Sequence, residues 1–191
     1  MEIARGATNK MPSVLGWGAN CSSNPQQYMG DYVYVEPRQS DELVLQMIGS
    51  KLAEIVIEII KRHRMTTRVT LHHIIFYFSG ISEGQFSMNI VGKRAADQNI
   101  PGGTVVDTVI VSPVINEFYL NAHSAFQGTA KTPKYSLVAD NSQISLDAIE
   151  GITYGLCYLH EIVTATVSLP VPLIVADRCA KRGHSVYVAN L

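Results

Sequence analysis

The sequence predicts an α/β fold, a mixed sheet flanked by helices. Three observations lead there. From Asp41 to about His63, Val44, Ile48, Leu52, Ile55 and Ile59 recur every three to four residues and give one apolar helix face. The run "HHIIFYF" (72–78) reads as a central strand, continuously apolar because both of its faces are covered. Short β-rich runs then alternate with a second helical stretch, the pattern of strands and helices layered on one sheet.

Taken in order, residues 1–30 are rich in Gly, Asn, Ser and Pro around one apolar run, "SVLGWGA" (13–19), expected as an edge strand. "YVYVE" (32–36) alternates and reads as a strand. The first helix has Asp41 and Glu42 in its opening turn and Lys61, Arg62 and Arg64 near its end, both favourable to the helix dipole. "NIPGGTVVDTVIVSP" (99–113) is a turn followed by a β-rich run; "EFYLNAH" (117–123) and "KYSLVAD" (134–140) are further strands. Leu146 to about Glu161 is the second helix, with Ser145 as its N-cap. "PVPLIVAD" (170–177) reads as the closing strand, and "RCAKRG" (178–183) as a short helical turn ended by Gly183. Ligands of open α/β sheets bind beyond the carboxyl ends of strands. Ser79, His123 and Asp177 would each stand at such an end.

Composition bounds the function. The 191 residues suit one domain or part of a larger one. Apolar residues make up 47%, enough for a core, while charged residues are only 16%, which suggests faces covered by something else. A net charge of −1 excludes a globally basic nucleic-acid binder but leaves room for a local basic groove. Cys21, Cys157 and Cys179 are spaced neither for zinc nor for a disulfide framework, and buried reduced thiols suit a reducing compartment. The apolar runs fall far short of the roughly 20 residues that span a bilayer, and residues 1–15 lack the apolar core of a signal peptide. The expectation is a soluble protein of the cytoplasm, with the nucleus as the alternative, and no membrane partner.

The stretch "FYFSGISEGQF" (76–86) carries two chemical readings. Gly80 to Gly84 matches the G-x-S-x-G turn that exposes a serine nucleophile, here Ser82, with Asp140 and His160 or Asp177 and His184 to complete a triad. No glycine-rich oxyanion loop precedes it, and the same residues suit an ordinary Gly-Ser turn.

The second reading is a resemblance. "IIFYFSGISEGQF" (74–86) resembles the central strand and turn of the PIWI domain of Argonaute proteins. The blocks that follow keep family order and spacing over residues 70–183: "NIPGGTVVDT", "EFYLNAHSAFQGTAKTPKY", "LDAIEGITYGLCYLHE" and "VSLPVPLIVADRCAKRG". The N-terminal "PSVLGWGANCSSNPQQYMGDYVYVEPRQSDE" resembles divergent nematode-type Argonautes. The resemblance implies a ribonuclease H-like fold, with residues 12–191 a partial PIWI domain and 1–11 an extension. The resemblance implies that the first strand is missing, and with it a helix between Phe86 and Asn99.

The family's nuclease site holds two metal ions with three acids and a fourth residue. The glutamate would be Glu42, the fourth residue Asp177, and Ser79 stands where an aspartate belongs. Two acids of four remain, so the resemblance implies that the Mg²⁺ site and cleavage are lost, with no metal and no other cofactor. Glu42 also reads as a helix N-terminal charge, and Asp177 as a cap. The expected ligand is a short 5′-phosphorylated guide RNA, with silencing partner proteins. Arg182 would meet its 5′ phosphate; His123, Lys131 and Ser168 would meet its backbone; Lys93 and Arg94 would be the remnant of a basic strand end. The family's arginine on the second helix is absent, since His160-Glu161-Ile162 stands there. The alternative is a truncated remnant that acts through protein contacts or has no RNA function.

Overall fold

The computed structural model describes residues 2–4, 11–35, 41–79, 99–125 and 128–191, without the side chains of 2–4 and 41–48. Met1–Ile81 with Pro172–Leu191 form one unit, and Ser82–Val171 a second.

In the first unit, strands β1 (Glu2–Ala4), β2 (Ser13–Ala19) and β3 (Met29–Val35) form an antiparallel sheet in that order. "SVLGWGA" is therefore the central strand, not an edge: it pairs with β1 through Leu15 and Ile3 and with β3 through Leu15 and Val33. Alternation along β2 sends Leu15 and Trp17 to one face, where they meet Val35, Val33, Met29 and Ala19. Helix α1 (Asp41–Thr67) covers that face with Ile55 and Ile59. It runs one turn beyond the expected end. There the Thr66 hydroxyl bonds the Arg62 carbonyl at 2.9 Å and the Thr67 hydroxyl that of His63 at 2.8 Å.

The opposite face receives helix α3 (Val171–Ala189). This corrects the sequence reading of "PVPLIVAD" as a strand and of "RCAKRG" as a separate turn. Pro172 sits in the first turn, where a missing N–H costs nothing. The buried residues Leu173, Ala176, Ala180 and Gly183 fall at steps of three and four, a helical period. The stripe is small-sided so that the helix can approach the sheet closely. A Cβ at Gly16 would lie 2.6 Å from the Ala180 backbone nitrogen, and one at Gly183 would lie 2.5 Å from Cδ2 of Tyr32. The Tyr34 hydroxyl closes the seam, donating to the Gly183 carbonyl at 2.9 Å.

"HHIIFYF" is the second correction. Residues 68–79 form no strand, and Ile74, Ile75, Phe76 and Phe78 are each 42–48% exposed. A strand apolar on both faces needs edge partners and two covering layers. Among the described residues, no strand pairs with this run.

The second unit is built on strands β4 (Thr104–Val106), β5 (Glu117–Asn121) and β6 (Lys134–Ser136), again antiparallel and in that order. The α/β class thus stands, but in place of one mixed sheet the described residues form two antiparallel ones. Helix α2 (Leu146–Leu156) starts as expected, with the Ser145 hydroxyl accepting from the Ala148 N–H. It ends earlier than Glu161 because the Cys157 carbonyl, which a longer helix would use, accepts instead from the Val167 N–H at 3.0 Å. Phe118, Leu120, Ala122 and Cys157 form the core, with Ile149 and Tyr154 of α2 against them. Burial pushes the Cys157 thiol up to about 12, an inert buried thiol rather than a nucleophile.

Candidate nucleic-acid interface

Helix α3, like α1, carries several of the charges of the first unit. With Ala176, Ala180 and Gly183 facing the sheet, Arg178, Lys181 and Arg182 project outward and are exposed. Asp177 lies within the helix rather than at a strand end, as the sequence reading had it. Its carboxylate is held by Lys181 Nζ at 2.6 Å, an i, i+4 ion pair. Sequence reasoning missed Lys181 as that partner, although the four-residue spacing on a helix was its signal. Ser79, half-buried, ends the unpaired run and follows no strand. Glu42 lies in the first turn of α1, its side chain outside the described residues.

The second unit holds the other positions. A buried amide organises the start of the sheet. The Asn121 side-chain NH₂ donates to the Ile100 carbonyl at 2.8 Å and the Pro101 carbonyl at 3.3 Å, and the Asn121 backbone carbonyl accepts from the Gly103 N–H at 2.7 Å. The turn needs Gly103 because its φ is +89°. His123 follows two residues after β5, as expected, and is half-buried. Its Nδ1 is shielded without a hydrogen-bond partner, and burial lowers its pKa, which favours neutral imidazole. Lys131 is exposed on the loop before β6. That loop is tied down by Asn99, whose side chain accepts from the Ala130 N–H at 2.7 Å and donates to the Gly128 carbonyl at 2.9 Å. Ser168 is half-buried in a bend before α3 and lies in no strand. Of Ser79, His123 and Asp177, expected together at strand ends, only His123 follows one.

Lys93, Arg94 and the G-x-S-x-G turn with Ser82 lie outside the described residues. The acids proposed for a triad are otherwise engaged: Asp140 accepts from the Ser142 N–H and hydroxyl at 2.8 and 2.6 Å, and Asp177 from Lys181.

The fold is that of Argonaute lobes. A Kluyveromyces polysporus Argonaute solved with a guide RNA matches 95% of this chain and 27% of its own, with a TM-score of 0.70 at 18% identity. The C-terminal lobe of a budding yeast Argonaute matches 100% of this chain and 48% of its own, with a TM-score of 0.62 at 19% identity. Residues 90–188 match the Piwi domain family model, and the chain belongs to that family. Among Caenorhabditis elegans proteins it is similar to the Argonaute protein wago-4, at 48% identity over 94 residues and 49% of this chain. It is also similar to the Argonaute protein wago-1, at 27% identity over 92% of this chain. The chain spans 10% of the former's length and 22% of the latter's.

Proposed function

We propose that this chain is the RNA-binding, slicer-deficient PIWI part of an Argonaute working in small-RNA-guided silencing. The observation that carries the reading is the outward basic face of α3, with Arg182 exposed on a helix whose other face is locked to the sheet. An exposed guanidinium on a fixed helix can meet phosphate oxygens with two donors at once. His123, Lys131 and Ser168 are candidates for further backbone contacts, and Lys93 and Arg94 stand proposed from the sequence alone. A neutral His123 would bind by hydrogen bonding rather than by charge. Backbone contacts of this kind position an RNA without reading its bases.

Cleavage of the ribonuclease H type would need Mg²⁺ ions held by carboxylate oxygens. Ser79 offers a neutral hydroxyl, and the Asp177 carboxylate is already paired with Lys181. This donor set does not fit two close dications, and we assign the chain no cleavage step.

The test is binding of a 5′-phosphorylated 21-mer RNA against its 5′-hydroxyl twin, followed by incubation of a guide-paired target with Mg²⁺. Tighter binding of the phosphorylated strand without target cleavage is expected. Equal affinity for both would remove the phosphate contact, and cleavage would remove the slicer-deficient part. The second reading, a remnant working through protein contacts, is favoured by one observation: the exposed row of Ile74, Ile75, Phe76 and Phe78. It predicts no RNA binding at all by a folded chain.

A further inference from the structure

The second unit gathers three carboxylates that the RNA reading does not use. Asp107 stands one residue past β4, Asp147 in the first turn of α2, and Glu150 one turn further along the same helix. One oxygen from each lies within 4.8 Å of the other two. Glu150 is only 8% exposed, and its Oε1 is sealed from solvent without a hydrogen-bond partner. Burial, then Asp107 and Asp147, raise its pKa. Among the described residues no lysine or arginine forms an ion pair with any of the three.

Such a cluster can be neutralised in two ways. A proton shared between two carboxyls draws their oxygens to about 2.5–2.7 Å in a strong hydrogen bond. Among the described residues no hydrogen bond joins these three groups, and Glu150 Oε1 is unpartnered. A hard divalent cation instead sits between oxygens. At Ca²⁺–O distances of about 2.3–2.6 Å, ligands across the ion stand up to about 5 Å apart, whereas Mg²⁺ at about 2.0–2.1 Å needs them closer. Oxygens within 4.8 Å of one another lie close enough to share one such ion.

We propose that Asp107, Asp147 and Glu150 form a site for a hard divalent cation, Ca²⁺ or Mg²⁺, that pins the end of β4 to the start of α2. Its role is structural and independent of any phosphate contact. The cation offsets the repulsion of three like charges and supplies the partner that Glu150 Oε1 lacks.

The test is thermal unfolding of the whole chain, stripped with EDTA and then titrated with CaCl₂ or MgCl₂, beside Glu150→Gln. Calcium at saturation raises the wild-type Tm by roughly 5 °C, because a ligand held only by the folded state stabilises it by mass action. Magnesium, the other hard cation, raises it in the same direction. Glu150→Gln keeps the shape, removes one charge and weakens the calcium response about tenfold or more. Should that variant not fold, Asp147→Asn, at an exposed position, reads the same loss. A Tm insensitive to calcium overturns the site, above all if Glu150→Gln is more stable than wild type, since the cluster would then be mere repulsion. An equal calcium response in wild type and variant overturns it as well, because the ion would bind elsewhere.

Discussion

Two stretches of the first unit look alike as sequence and behave oppositely. "SVLGWGA" and "HHIIFYF" are both short apolar runs suited to strands. The first is the middle of a sheet between two helices, with Val14 and Leu15 1% and 0% exposed. The second forms no strand, and its Ile and Phe side chains stand nearly half in solvent. The richer apolar content belongs to the unpaired run. Pairing and covering therefore decide, not hydrophobicity. β2 has strands on both edges, and its Gly16 and Gly18 leave a trough into which the small side of α3 descends.

The contrast can be broken most severely at the trough. Gly16→Val would push side-chain atoms into the backbone of α3 at Ala176 and Ala180. It should cost about 3 kcal/mol or more, read as a lower urea midpoint. Tyr34→Phe removes only the hydroxyl that donates to Gly183, and a loss of about 1 kcal/mol is expected in the same measurement. Acid gives a smaller effect in the other unit. Burial lowers the pKa of His123, so the unfolded chain takes up its proton first as pH falls below 6.5. That stabilising contribution is present above the unfolded value and is lost as pH drops through the folded one. Between pH 7 and 5.5 the wild type should thus lose more stability than His123→Gln, and equal slopes would refute the assignment. At the far end, Phe76→Ser in the exposed run should change stability by no more than about 0.5 kcal/mol. A large loss there would mean that the run is packed after all.

Much of this was legible in the residues, for reasons that are local. The period of Leu52, Ile55 and Ile59 marked α1, and Ser145 marked the start of α2. "PGG" marked the turn into β4, and "EFYLNAH" marked β5. What the sequence hid depended on partners. "PLIVAD" is as β-like as any strand in isolation, and only the small residues at 176, 180 and 183, taken with the glycines of β2, betray a helix laid on a sheet. For the same reason Asp177 was expected at a strand end beside Ser79, when helical spacing gives it to Lys181. The three-carboxylate cluster was out of reach, because Asp107 joins Asp147 and Glu150 only once β4 and α2 are packed.

The central claim is that the basic face of α3 holds RNA backbone without cutting it. The most direct measurement is fluorescence anisotropy of a labelled 5′-phosphorylated RNA titrated with the chain from 50 to 300 mM KCl, beside Arg182→Ala. The account predicts saturable binding whose log-affinity falls with log-salt. For Arg182→Ala it predicts weaker binding and a slope shallower by about one, since each lost phosphate contact releases one counterion fewer. Binding by a folded Arg182→Ala chain with unchanged affinity and slope would contradict it.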